Sequence, residues 1–115
     1  MNSTIAEFMR IIQMTLPQLA DFVRGKGGRF TMQLRRVIQH GMSEYAKTMP
    51  QHMRGDDKVL EKAVAMTAKL EKWARLDYEA TETGKMMLTH PGWSAIKIKR
   101  AVRKDWEDIV KRESY

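Results

Sequence analysis

The stretch that decides the fold is KVLEKAVAMTAKLEKWARLDYEA, residues 58–80. Its apolar residues recur every three or four positions, which is the period of one face of an α-helix. Asp56 and Asp57 stand directly before it and suit the N-cap position, where a carboxylate accepts hydrogen bonds from free backbone amides. We therefore predict a long helix over residues 58–80, with an apolar face made of Leu60, Ala63, Val64, Thr67, Leu70, Trp73, Ala74 and Tyr78.

Shorter segments on either side have the same period. Residues 4–12 form one apolar stripe, and Thr15-Leu16-Pro17-Gln18 is a second helix start, with a break or kink at Pro17. A third stripe resumes at Thr31, and a last one follows Ser94, which suits an N-cap. The sequence predicts an all-α, single-domain bundle of four to five helices over residues 1–115. A short strand at residues 96–99, where isoleucine and lysine alternate, is the local alternative.

Glycine and proline mark the predicted connections between these helices. Three glycines fall within residues 25–29, so we expect a flexible basic loop there. Longer linkers are predicted near residues 47–57, which contain Pro50 and Gly55, and near residues 81–92, which contain Gly84, Pro91 and Gly92.

Composition narrows the class of protein. The chain of 115 residues has no cysteine, which excludes disulfides and cysteine-based metal sites and fits a reducing compartment. Its N-terminal residues read neither as a signal peptide nor as a membrane span. We expect a cytoplasmic protein without a membrane span.

The polar residues do not form a pattern typical of catalysis. His40, His52 and His90 are widely spaced and belong to no metal-binding signature, and the acidic clusters are explained by helix capping and ion pairing. The sequence around Lys26 lacks the Gly-Lys-Ser/Thr ending of a phosphate-binding P-loop. We predict a protein that is not an enzyme, with no catalytic residues, no metal and no cofactor.

Positive charge is concentrated in two parts of the chain. The net charge is +7, and direct counting gives about +6 to residues 22–55, the first basic block, and about +6 to residues 85–104, the second basic block. Such clusters attract polyanions, although basic side chains also simply solvate outer helix faces. The cations assigned to binding are Arg24, Lys26, Arg29, Arg35 and Arg36 in the first block, and Lys97, Lys99, Arg100, Arg103 and Lys104 in the second.

The favoured function is nucleic-acid binding by a small regulatory or accessory protein, with DNA favoured over RNA. The second block would supply electrostatic capture, and the first block finer positioning. The backbone amides of Gly25 to Gly28 are candidates for holding one phosphate. Residues 16–45 are also compatible with a helix-turn-helix, although the connection at residues 25–30 is longer than usual and an ordinary helix pair gives the same pattern.

The alternative function is a protein-interaction module, an inhibitor or adaptor that docks on an acidic protein. Ten methionines is a high number, and four of them fall in or beside the predicted linkers. Methionine adapts to varied partners, so an exposed cluster would mark a docking surface. Closing the ends of the bundle is the simpler role for the four, which are Met49, Met53, Met86 and Met87. The sequence leaves the formation of a homo-oligomer open.

Overall fold

The fold consists of helices joined by short connections. The computed structural model describes residues 3–113, and the side chains of all of these except Arg54, Asp56 and Glu113. Within this range there are five α-helices and no strand, which confirms the all-α bundle. The helices are α1 (Ser3–Ile12), α2 (Leu16–Val23), α3 (Gly27–Lys47), α4 (Lys58–Thr89) and α5 (Ala95–Glu113), with a short 3₁₀ helix at Gln51–Asp56.

Three of the helices begin at the caps that the sequence predicts. The Thr15 hydroxyl accepts a hydrogen bond from the Gln18 amide at 3.2 Å, and the Gln18 side chain accepts one from the Thr15 amide at 2.9 Å. The Asp57 carboxylate accepts from an amide in the first turn of α4 at 3.0 Å. The Ser94 hydroxyl does the same for α5 at 3.2 Å. These bonds satisfy amides that have no partner inside the helix.

The antiparallel pair α3 and α4 forms the centre of the bundle, and α1 packs mainly against α3 while also contacting α4. Gly41 allows α1 to approach closely, because a side-chain carbon at this position would collide with Phe8. The largest fully buried side chains of this core come from four helices, and they are Phe8, Leu19, Ile38, Met66 and Leu70.

Helix α5 folds back along the second half of α4 and forms a second, smaller core. Trp106 is buried and packs with Met32 of α3 and Ala74 of α4. Trp73 is only partly buried, at the edge of the main core. The Tyr78 and Trp106 rings lie 5.6 Å apart between centroids. Aromatic contacts of this kind tie α5 to α4.

Several predicted boundaries are wrong. The predicted linker at 81–92 lies mostly inside α4, which continues to Thr89, so only residues 90–94 connect α4 to α5. One glycine costs a helix about 1 kcal/mol, and the good helix formers around Gly84 outweigh that cost until Pro91. Residues 96–99 belong to α5, so the strand alternative is also wrong.

The predicted glycine loop is shorter than expected, because α3 already begins at Gly27. Gly25 and Gly27 have positive φ values of 75° and 85°, which allow the tight turn between α2 and α3. The predicted linker at residues 47–57 begins one residue later, because Lys47 is the last residue of α3, and it contains the short 3₁₀ helix.

The long helix α4 gives the molecule an elongated shape, 57 Å by 26 Å by 22 Å. Gly28, at the start of α3, contacts Asp77, so residues 78–89 of α4 continue past α3 and pack mainly against α5. We call residues 79–104, around the α4–α5 turn, the hairpin tip. In residues 3–113, no helix is both long enough and apolar enough to cross a bilayer.

Candidate nucleic-acid interface

Helix α5 carries the cations of the second basic block that were assigned to binding. Its buried stripe is Ile98, Val102 and Trp106, and this stripe fixes the directions of the other side chains. At about 100° per residue, Lys97, Arg100 and Lys104 fall within about 60° of one another on the side away from α4. All three are exposed. We call these three residues the outer face of α5.

The cations of α5 have few internal partners. Within residues 3–113, no salt bridge is formed by Lys99, Arg100, Arg103 or Lys104. The Lys97 ammonium lies 4.5 Å from the centroid of the Trp93 ring, a cation–π distance. Exposed cations without counter-ions keep a full positive field at the surface, which attracts phosphate groups.

Two cations of this set lie on a different side of the helix. Lys99 and Arg103 line a groove between α5 and the end of α4, together with Glu79. The structure therefore divides the second block between the outer face of α5 and the edge of this groove.

The exposed cations at the start of the first basic block are engaged locally. Arg24 forms a salt bridge with Asp21 at 2.9 Å. The Lys26 ammonium lies 4.0 Å from the centroid of the Phe22 ring and 4.9 Å from that of Phe30. The Lys26 contacts join the corner between α2 and α3, whereas the Arg24–Asp21 pair is exposed and lies within a single turn.

Arg35 is not at the surface, and its assignment to nucleic-acid binding is wrong. It is only 8% exposed, and its Nε lies 3.6 Å from a carboxylate oxygen of Glu71 across the α3–α4 interface. Arg35 is adjacent to Leu34 and one turn from Ile38, so it shares the buried stripe of α3. Its side chain cannot reach a nucleic acid while α3 and α4 are packed.

The predicted phosphate site at the glycines already has an anion from the protein itself. The Gly28 amide donates a hydrogen bond to the Asp77 carboxylate at 2.9 Å. A carboxylate at a helix N-terminus satisfies free amides and the positive end of the helix dipole. The expectation that these amides hold a phosphate is therefore corrected: Asp77 of α4 takes that place.

Arg29 and Arg36 lie together with an arginine that the sequence did not single out. Both line a cleft of about 580 Å³ where α3, α4 and α5 meet, and Arg112 of α5 lines it too. Arg112 was missed because residues 105–115 are acidic overall. Along α5, Arg112 is about 12 Å from Lys104, so this cleft and the outer face of α5 are separate regions.

Tyr78 also lines this cleft. Burial raises the pKa of its phenol, and the carboxylates of Asp105 and Glu82 raise it further, while the positive charge of Arg112 lowers it. Because the net shift is upward, the phenol stays protonated at neutral pH and can donate a hydrogen bond.

The helix-turn-helix hypothesis does not fit the packing of α3. A recognition helix needs one free face that can enter the major groove. Helix α3 instead packs against α1 and α4, and it has six buried residues along its length.

The acidic and histidine residues do not gather into a metal site. Across the described residues 3–113, no group of three or more His, Cys, Asp or Glu side chains could hold a metal ion. His90 stacks on Trp93 with ring centroids 3.8 Å apart and an angle of 6° between the planes.

No family model, curated protein or solved structure matches the chain at a significant level.

Proposed function

We propose that this protein acts by binding rather than by catalysis, and that it binds the phosphate backbone of DNA through the outer face of α5. The observation that carries the proposal is the set of three exposed cations on one side of a single helix. Two of them, Arg100 and Lys104, form no salt bridge within the described residues. Counterion release from DNA by such cations supplies affinity without base recognition.

A helix that presents cations favours B-form DNA over double-stranded RNA. The major groove of B-DNA is wide enough for an α-helix, whereas the major groove of A-form RNA is deep and narrow. The outer face of α5 consists of flexible lysine and arginine side chains on a regular helix. Binding would therefore depend only weakly on the base sequence of the DNA. Such binding suits an accessory or regulatory role.

The test is to measure affinity for a labelled DNA duplex by fluorescence anisotropy, between about 50 and 200 mM salt. The outer-face variant is Lys97→Glu/Arg100→Glu/Lys104→Glu. If each of the three cations contacts one phosphate, the slope of log affinity against log salt should be shallower by about 2.7 in this variant. We expect its affinity to fall at least about a hundredfold at low salt, with unchanged thermal unfolding, since surface substitutions usually change stability by less than about 0.5 kcal/mol each.

A matched control separates a binding site from net charge. Lys62→Glu/Lys69→Glu/Lys72→Glu makes the same change of charge at three exposed positions of α4. We expect this variant to keep most of the wild-type affinity and salt slope. Equal losses in the two variants would show that DNA responds to overall charge alone and would overturn the proposal.

Docking on an acidic protein is the second candidate function. The observation in its favour is the exposure of three apolar side chains near the second basic block, where Met87 is 60%, Ile96 65% and Leu88 84% exposed. Met86 and Met87 lie in α4 and not in a linker, and only Met87 is fully at the surface. Docking on an acidic protein becomes the favoured function if the wild-type chain binds immobilised polyglutamate but no nucleic acid at low salt, and the outer-face variant binds neither.

A further inference from the structure

A groove opens at the hairpin tip between the end of α4 and the start of α5. Its volume is about 450 Å³, which lies in the range of sites for small molecules. Its floor and its edge differ in chemistry. The floor is apolar and is formed by the buried Ile98 and Val102, with the partly buried Trp93 and the exposed Met87 beside them, and the edge carries the cations Lys99 and Arg103.

The groove is held open by contacts at its closed end. The Trp93 ring stacks on the His90 ring, and the Lys97 ammonium lies 4.5 Å from the centroid of the Trp93 ring. The Trp93 amide also donates a hydrogen bond to the His90 carbonyl at 3.0 Å. These contacts fix the position of the ring, so a ligand would meet a wall that is already in place.

The electrostatics of the groove favour an anion. Lys99 and Arg103 form no salt bridge within residues 3–113, and the one carboxylate in the lining, that of Glu79, lies 3.9 Å from Arg75. An arginine side chain suits a carboxylate in particular, because its planar group offers two parallel donors.

Two other occupants fit the groove less well. A second copy of the chain would bring two hairpin tips together, and residues 85–104 carry about +6 each, so like charges would repel. A nucleic-acid backbone would leave the apolar floor without a complementary surface, since its outer surface consists of phosphate and sugar.

We propose that this groove binds a small amphipathic organic anion, in which an apolar body lies on the floor and a carboxylate lies against Lys99 and Arg103. This site is independent of the DNA proposal. On the helical wheel, Lys99 and Arg103 lie between the buried stripe and the outer face of α5, so neither belongs to the outer face.

The first experiment is isothermal titration of the full chain with hexanoate, octanoate and decanoate, and with octylamine as the matched cation. We expect affinity to rise about fourfold for each added methylene, because each one buries more apolar surface. Octylamine should bind at least about tenfold more weakly than octanoate, because it lacks the charge-assisted hydrogen bonds to the two cations.

The second experiment places the ligand in the groove. In methyl NMR spectra, octanoate should shift the signal of Met87, which lines the groove, and leave Met66, which is fully buried in the main core, unchanged. The groove variant Lys99→Glu/Arg103→Glu should lose at least about tenfold in octanoate affinity. A second variant, Thr83→Trp, should fill the groove and abolish binding while both cations remain.

The double variant Arg100→Gln/Lys104→Gln is the control that separates the two proposals, because it keeps the Lys97 ammonium against Trp93 and places no new carboxylate beside Arg103. It should bind octanoate as the wild type does, although its affinity for DNA falls and its salt slope becomes shallower. If the groove variant and Thr83→Trp both bind octanoate normally, the ligand lies elsewhere and the groove proposal fails while the DNA proposal stands.

Four further results would overturn the groove proposal. The first is an affinity that does not rise with chain length, and the second is equal binding of the amine and the carboxylate. The third is a Met87 signal that changes with protein concentration in the absence of ligand, which would assign the groove to a second copy of the chain. A Met87 signal that is shifted by an acidic amphipathic peptide but by none of the carboxylates would assign it to a protein partner instead.

Discussion

The two basic blocks have the same net charge but different surroundings. In the first block, Arg24 pairs with Asp21, and Arg35 is buried beside Glu71. In the second block, the cations of α5 other than Lys97 have no internal partner within the described residues. Charge along the sequence therefore does not tell which cations are free to bind a ligand. The packing around each cation decides that.

The position of each block in the bundle explains the difference. The first block lies where α2, α3 and α4 meet, so acidic residues of neighbouring helices are within reach of its cations and amides. The second block lies at the hairpin tip, where α5 has α4 as its principal neighbour and one side faces solvent.

The largest expected effect on stability comes from replacing one arginine by glutamate in each basic block and comparing the two variants. Arg35→Glu would place a second carboxylate beside Glu71 in the α3–α4 interface, and we expect a loss of about 3 kcal/mol or more in the free energy of unfolding. Arg100→Glu lies on the exposed side of α5 and should cost less than about 0.5 kcal/mol. Urea denaturation measures both.

Arg35→Met is the control for this pair. Methionine keeps an apolar stem of similar length and removes a buried charge, so its stability should lie close to that of the wild type. If Arg35→Glu is as stable as Arg100→Glu, the two blocks do not differ in the way that we describe.

A smaller effect on stability is expected at Asp77, whose carboxylate accepts a hydrogen bond at the N-terminus of α3. Asp77→Ala removes the acceptor of the Gly28 amide, and we expect a loss of about 1–2 kcal/mol in the free energy of unfolding. Added sulfate should then stabilise this variant more than the wild type, because the helix N-terminus is open to an external anion. Thermal melts with and without sulfate provide the measurement.

Asp21→Ala is the matched control, since the carboxylate of Asp21 is exposed and pairs only with the exposed Arg24. Exposed pairs contribute little, so this variant should melt close to the wild type. An equal loss in the two variants would contradict a special role of Asp77.

The smallest effect tests whether the hairpin tip unfolds together with the core. Ser94→Ala removes the cap of α5, and we expect a loss of about 1 kcal/mol in the free energy of global unfolding. Thr15→Ala, which removes the cap of α2, should cause a similar loss. Global unfolding should respond because Trp106 joins α5 to α3 and α4. Hydrogen exchange that becomes faster only in residues 90–104, with unchanged global stability, would instead show that the tip opens alone.

Local signals in the sequence were sufficient for the fold class and for several helix starts. The caps at Thr15, Asp57 and Ser94 depend on residues three positions apart, so they can be read directly from the chain. The end of α4 could not be read in this way. Gly84 is a weak stop signal, and the neighbouring helix formers together outweigh it.

The roles of the first block depended on contacts between distant parts of the chain. Gly28 and Asp77 are 49 residues apart in the sequence, and only the packing of α3 on α4 brings them together. Arg35 was assigned to a face away from the apolar stripe of Leu34, Val37 and Ile38, but it is one turn from Ile38 and shares the buried side of α3. The outer face of α5 could be predicted without knowledge of such contacts, since its three cations share one side of a regular helix.

The length of α4 has a consequence for measurements of molecular size. The radius of gyration is 17.0 Å, whereas a compact chain of 115 residues is expected to have about 13 Å. By the same scaling, a radius of about 17 Å belongs to a compact protein of roughly 220 residues. A monomer of this shape would therefore leave a gel-filtration column near the position of a compact dimer. Light scattering, which reports mass independently of shape, is the measurement that gives the number of chains.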